Sequence, residues 1–67
     1  MKDYTNRQGN REFSEGDVRV VVYPRCVEVH QPTKIQNFSK PVDEEMLKNF
    51  PFPEDMVRRI CDGINSH

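Results

Sequence analysis

Six valines crowd into the stretch from Asp17 to Gln31, and the pair Pro24-Arg25 divides that stretch near its middle. β-Branched residues favour strands, and a proline between two such runs favours a turn. The sequence therefore predicts a β-hairpin here. No other part of the chain is as dense in strand-forming residues, so we expect the remaining elements to be arranged around this hairpin.

The two strands of this hairpin have different faces, because successive side chains of a strand point to opposite sides. Pairing about the Pro-Arg turn places Val22 opposite Val27 and Arg19 opposite His30. One face is then entirely apolar, with Val18, Val20, Val22, Val27 and Val29. The other face is mixed, with Arg19, Val21, Tyr23, Cys26, Glu28 and His30. We expect the first face to form part of the core. The sequence reveals no element that would cover the second face.

The pattern changes to a helical period in the last third of the chain. Apolar residues at 42, 46, 47 and 50 form one stripe of a short helix that ends at Pro51. A second helix is predicted from Pro53, with Met56, Val57, Ile60, Cys61 and Ile64 on one face. Both helices begin with acidic residues, which the helix dipole favours, so those carboxylates do not by themselves indicate catalysis.

The flanks of the hairpin leave room for additional pairing. A third strand is predicted from residues 11–15 or from residues 34–38, because a lone hairpin is marginal in water. Gly9-Asn10 could also close a small outer hairpin, but residues 1–10 are polar and are expected to form a flexible N-terminus. The predicted fold is α+β: a small antiparallel sheet packed against two short C-terminal helices in one domain over residues 11–67.

Composition limits the function more than any motif does. The chain has 67 residues, of which 34% are hydrophobic and 31% charged, with a formal net charge of -1. A core this small leaves little room for a pocket that buries a substrate, so an enzyme is not expected. No apolar stretch approaches the length that crosses a bilayer, and no cofactor is predicted.

Metal binding is not predicted either, although Cys26, His30, Cys61 and His67 supply ligand types. Residues four apart on a strand are about 13 Å from each other, too far for Cys26 and His30 to share a zinc ion. We expect both cysteines to be free thiols in the cytoplasm, with Cys61 in the core.

The function that remains is a non-enzymatic protein-binding module, a small regulator or inhibitor that acts on another protein. The residues expected to contact the partner lie on the mixed face, at the hairpin tip and in the Phe50-Pro51-Phe52 joint: Arg19, Val21, Tyr23, Pro24, Arg25, Glu28, His30 and Phe52. A homodimer through a strand edge is a further expectation.

The alternative is a small dimeric regulator that binds nucleic acid. Its candidate phosphate contacts are Arg25, Lys48, Arg58 and Arg59. Ten basic residues are spread along the chain among eleven acidic ones, however, and nucleic-acid binding usually requires a concentrated basic face. A nucleic-acid partner is therefore expected less than a protein partner.

Overall fold

The computed structural model describes residues 1–66, which form a five-stranded antiparallel sheet and two helices. The strands pair in sequence order, so that β1 and β5 are the two edges. The elements are β1 Lys2–Thr5, β2 Arg11–Glu15, β3 Val18–Val22, β4 Cys26–His30, β5 Ile35–Ser39, α1 Glu44–Leu47 and α2 Glu54–Asn65. The predicted α+β class is confirmed.

The central hairpin has the predicted register. Val22 pairs with Val27 and Arg19 pairs with His30 across β3 and β4. At the turn, the N–H of Tyr23 donates to the carbonyl of Cys26 at 2.9 Å. The valine pattern was therefore sufficient to predict both the pairing and the two faces of this hairpin.

The sequence predicted the central hairpin and one further strand, whereas the sheet contains three strands besides the hairpin. Both predicted flanking strands are present, as β2 and β5, and the polar segment 1–10 contributes β1. β1 and β2 are joined by a turn in which the N–H of Asn6 donates to the carbonyl of Asn10 at 2.8 Å. Gly9 in this turn has a φ of 83°. Glycine adopts this positive φ without steric cost. The outer hairpin is therefore present, but its turn is Arg7-Gln8-Gly9, and Asn10 pairs with Asn6 instead of forming part of a Gly9-Asn10 turn.

The first helix is shorter than predicted, whereas the second agrees well. α1 covers only four residues, and Asp43 caps its N-terminus, because its Oδ1 accepts from the N–H of Met46 at 3.1 Å. The chain then tightens into turns, with Lys48 donating to Glu45 and Phe50 to Leu47, and Pro51 cannot donate a helical hydrogen bond. α2 runs for twelve residues, as the apolar period indicated.

The core lies between the valine face and the two helices. All five valines of that face are buried, and so are the predicted helix residues Leu47, Phe50, Val57, Ile60 and Ile64. Cys61 is buried as expected, and Met46 and Met56 are partly buried. The structure adds Phe13, Val42 and Phe52 to this core.

Two contacts fix the helices against the rest of the chain. A Cβ added at Gly63 would lie 2.9 Å from Cζ of Phe13, so α2 approaches β2 at a distance that only glycine allows. At the end of α2, the Asn65 side chain accepts from the N–H of Val42 at 2.9 Å and donates to its carbonyl at 2.8 Å. Over residues 1–66, neither helix has the length and apolar character needed to cross a membrane.

Candidate functional site: the open face of the sheet

The face of the sheet opposite the helices, called here the open face, carries two rows of side chains that run across all five strands. The strand register defines them. The first row is Lys2, Ser14, Arg19, His30 and Ile35. The second row is Tyr4, Glu12, Val21, Glu28 and Asn37. Basic groups thus lie next to a row that contains two carboxylates.

Glu12 is the centre of the first hydrogen-bonded group in the second row. It is only 5% exposed, although no helix covers it. Its Oε1 accepts from the Tyr4 hydroxyl and its Oε2 from the Asn6 amide, both at 2.7 Å, and Nε of Arg19 lies 3.4 Å from Oε1. Three donors from three different segments therefore satisfy this carboxylate.

The surroundings of Glu12 stabilise its charged form. Burial raises the pKa of this carboxyl, but the hydrogen bonds from Tyr4 and Asn6 and the charge of Arg19 outweigh burial, so the pKa lies below its ordinary value. The pKa of the Tyr4 hydroxyl is raised, because it donates to that carboxylate. Glu12 is therefore a structural anion and is poorly suited to accept or deliver a proton near neutral pH.

Glu28 organises a second group on β4, on the other side of β3 from Glu12. Its Oε1 accepts from the Tyr23 hydroxyl at 3.1 Å and lies 3.1 Å from Nε2 of His30. Burial, followed by this hydrogen bond, raises the pKa of Tyr23. Both tyrosines of the chain thus donate their hydroxyls to carboxylates on one face.

Val21 separates the two groups and is 4% exposed. Its strand partners are Glu12 on one side and Glu28 on the other. Because no element packs on the open face, the neighbouring long side chains must cover this valine. The carboxylates and tyrosine hydroxyls of the open face are therefore held in hydrogen bonds, and such pre-arranged groups lose less entropy when another molecule binds.

Two shallow clefts adjoin these groups. One, of about 720 Å³, runs along the first row and is lined by Lys2, Ser14, Arg19 and His30, with Asp17 and Gln31 among the others. The second, of about 460 Å³, lies at the hairpin tip between Tyr23, Pro24, Arg25, Cys26 and Glu28. The second cleft is lined by residues that the sequence predicted for the mixed face or the tip, whereas only Arg19 and His30 of the first cleft belong to that prediction.

The structure brings together most of the residues predicted to contact a partner. Arg19, Val21, Tyr23, Glu28 and His30 share the open face, and Pro24 and Arg25 are exposed at the tip. Arg19 is 48% exposed and Val21 is buried among its neighbours. Phe52 is the exception, because it is 7% exposed in the core on the opposite side of the sheet and cannot act as an exposed anchor.

Sequence reasoning missed Tyr4 and Glu12 as members of this face. Tyr4 is the one aromatic residue in the polar segment 1–10, and Glu12 alternates with the buried Phe13. Both signals were present in the sequence. They gain meaning only once β1 is paired with β2, which places Tyr4 directly opposite Glu12.

The residues of the nucleic-acid alternative do not share this face. Arg58 and Arg59 are exposed on α2, on the helix side of the sheet, whereas Arg25 is at the hairpin tip. Nζ of Lys48 donates to Glu45 at 2.9 Å. The helix carrying the two arginines also begins with Glu54 and Asp55, which dilutes its positive charge.

The thiols and the metal-ligand types remain apart among the described residues. Cys26 is half-buried at the start of β4, Cys61 is buried in α2, and both are free. Burial raises the pKa of the Cys61 thiol, which keeps it protonated and unreactive. Residues 1–66 contain no group of three or more metal-ligating side chains, and His67 lies outside the described residues.

No protein-family model, curated protein or solved structure matches this chain.

Proposed function

We propose that this protein is a non-enzymatic protein-binding module, a small cytosolic regulator or inhibitor that contacts a larger protein through its open face. The observation that carries the proposal is the pair of tyrosine-carboxylate groups on a face that no helix covers. Tyrosine and arginine concentrate binding energy in protein interfaces, and both occur there in fixed positions. Two free thiols accord with a reducing compartment.

The shape of the open face also favours a protein over a small molecule. The clefts on it are shallow and open, whereas small ligands usually occupy deep apolar pockets. Alternating basic and acidic rows provide charge complementarity, which contributes specificity and association rate more than affinity. A partner surface with its own alternation of charges would fit these rows.

Affinity capture from cells of the source organism tests the proposal. The bait variants are Arg19→Glu with Tyr23→Ala on the open face, and Arg58→Ala with Arg59→Ala on α2 as the matched control. A protein retained in stoichiometric amount by the wild type and the control, but lost by the open-face variant, supports the proposal. Loss by the control alone would contradict it.

Nucleic-acid binding by a dimeric regulator is the competing proposal, and the same variants address it. Binding that depends on Arg25, Lys48, Arg58 and Arg59 would weaken steeply as salt rises, because phosphate contacts release counterions. A gel shift with duplex and single-stranded DNA at 50 mM and 200 mM salt measures this dependence. Retention that the α2 variant abolishes, and that the open-face variant leaves intact, would favour this competing function.

A further inference from the structure

The two edges of the sheet differ in a way that points to strand addition at β5. β1 carries Lys2 and Asp3 within its four residues, and Asp3 is engaged by Arg11 at 2.8 and 3.0 Å. β5, with the sequence Ile-Gln-Asn-Phe-Ser, has no charged residue. Charges on an edge strand discourage pairing with other chains, and β5 lacks that protection.

The backbone groups available at β5 follow from its pairing with β4. The N–H of Gln31 donates to the carbonyl of Lys34 at 2.8 Å, and the N–H of Lys40 donates to that of Arg25 at 3.0 Å. Bonded pairs alternate along an antiparallel ladder, so residues 36 and 38 also bond β4. The N–H and C=O groups of residues 35, 37 and 39 therefore point outward from the sheet, where the described residues supply no further strand.

The side chains beside this edge are suited to an incoming strand. Ile35 is 55% exposed on the open face. On the helix side, a groove of about 330 Å³ runs along β5 and includes Phe38, Met46 and Phe50 in its lining. The rings of Phe38 and Phe50 pack edge to face with centroids 6.2 Å apart. The rest of the groove lining is polar and includes Lys34 and Glu45. Alternate side chains of an added strand would lie beside Ile35 on one face and beside Phe38 on the other.

From these observations we infer that the β5 edge binds an extended segment of another protein by antiparallel strand addition. The segment is apolar at alternate positions and carries a carboxylate opposite Lys34, which is exposed at the start of the strand and lines the groove. A second copy fits less well. Antiparallel self-pairing centred on Asn37 would place Lys34 of each copy opposite Lys40 of the other, and like charges directly opposite are destabilising.

This inference rests on the proposed function as a binding module, but it uses a different part of the surface. The probe is the capped hexapeptide Thr-Val-Thr-Val-Val-Glu, whose glutamate falls opposite Lys34 when its first residue pairs with Ser39. We expect its addition to shift the backbone amide resonances of residues 35, 37 and 39. Shifts confined to β1 or to the hairpin tip, or no shifts at millimolar probe, would overturn the inference.

Three variants sharpen the test. Asn37→Pro removes an outward N–H without breaking the ladder to β4, and is expected to abolish probe binding; Asn37→Ala keeps the N–H and should bind. Thr5→Pro makes the same change at an outward position of β1 and should leave binding unchanged. Equal binding by Asn37→Pro and Asn37→Ala would overturn strand addition.

A charge exchange tests the carboxylate and does not depend on proline being tolerated. The wild type is expected to bind the glutamate probe about two- to fivefold more tightly than a probe ending in lysine. Lys34→Glu should invert this preference. An unchanged preference would overturn the assignment of Lys34, and a doubled mass by sedimentation without any probe would identify a second copy as the occupant instead. The open-face variant, Arg19→Glu with Tyr23→Ala, should still bind the probe. A failure of strand addition at β5 can therefore be distinguished from a failure of the proposed function.

Discussion

The two faces of this sheet bury their central side chains in different ways. On the helix side, valines from β3 and β4 are covered by the two helices, which follow the whole sheet in the chain. On the open face, Val21 and Glu12 are buried without a covering element, by side chains of the adjacent strands and turn. Stability is therefore concentrated on one side, while the other can serve recognition with a surface that is already ordered.

The largest expected difference between the faces comes from a charge on the helix side. Val20 is fully buried, so Val20→Asp places an unpaired carboxylate in the core and should cost more than about 4 kcal/mol, enough to unfold a domain of this size. Loss of chemical-shift dispersion in an amide NMR spectrum measures the effect. Thr33→Asp, in an exposed turn, is the control, and a dispersed spectrum for Val20→Asp would contradict the assignment of the core.

A smaller effect on the helix side is expected at the point where α2 approaches β2. Gly63→Ala would gain about 1 kcal/mol of helix propensity, but its Cβ would meet Phe13, a ring that is fully buried and cannot move away freely. We expect a net loss of about 1–3 kcal/mol in urea unfolding. Asp62→Ala, at the exposed neighbouring position, should be neutral or slightly stabilising, and the same result for Gly63→Ala would refute the close approach.

On the open face, the most sensitive position is Glu12. Glu12→Gln keeps the size of the side chain but cannot accept from both Tyr4 and Asn6 as the carboxylate does, so we expect a loss of about 1–2 kcal/mol at neutral pH. A loss comparable to that of Val20→Asp would show that the open face is as important for stability as the core.

The effect of Glu12→Gln on stability is expected to depend on pH. Because the pKa of Glu12 is lowered in the folded state, its contribution is complete above the pKa of the unfolded chain and is lost as pH falls through the folded value. The stability difference between wild type and Glu12→Gln should therefore shrink on acidification below about pH 4.5, the ordinary value for this group. A difference that stays constant to pH 2 would exclude the charged network.

The smallest effects are expected from the tyrosine hydroxyls. Tyr4→Phe and Tyr23→Phe each remove one hydrogen bond to a carboxylate and should cost about 0.5–1.5 kcal/mol, with Tyr4 at the low end because its side chain is partly exposed. Thermal unfolding of both variants measures this. Costs above 3 kcal/mol would indicate that the hydroxyls do more than order the surface.

Sequence patterns predicted the helix side far better than the open face. The valine alternation and the helical period of residues 56–64 both reflect burial against a large apolar surface, which a single sequence records directly. β1 left no such record, because its residues are exposed and polar, and its strand state comes from pairing with β2. Strand propensity depends on such context, so Tyr4 and Glu12 could not be placed on the open face beforehand.

The segment between α1 and α2 also could not be predicted fully from the sequence. Phe52 was a candidate anchor because aromatic residues between prolines are exposed in some proteins and buried in others, and only the packing of α1 on α2 decides between them. α1 itself was predicted too long, since its apolar stripe continues through Phe50 although the helix ends at Leu47. Apolar spacing describes which residues are buried more reliably than it describes where a helix stops.

The order of elements along the chain has a consequence for folding. All five strands precede both helices, and each strand pairs with its neighbour in sequence, so the pairing of the sheet needs no residue from either helix. Until α2 docks and Asn65 reaches Val42, the valine face is an apolar surface with nothing on it. In a sheet that forms before the helices dock, aggregation or chaperone capture therefore competes with the docking of α2.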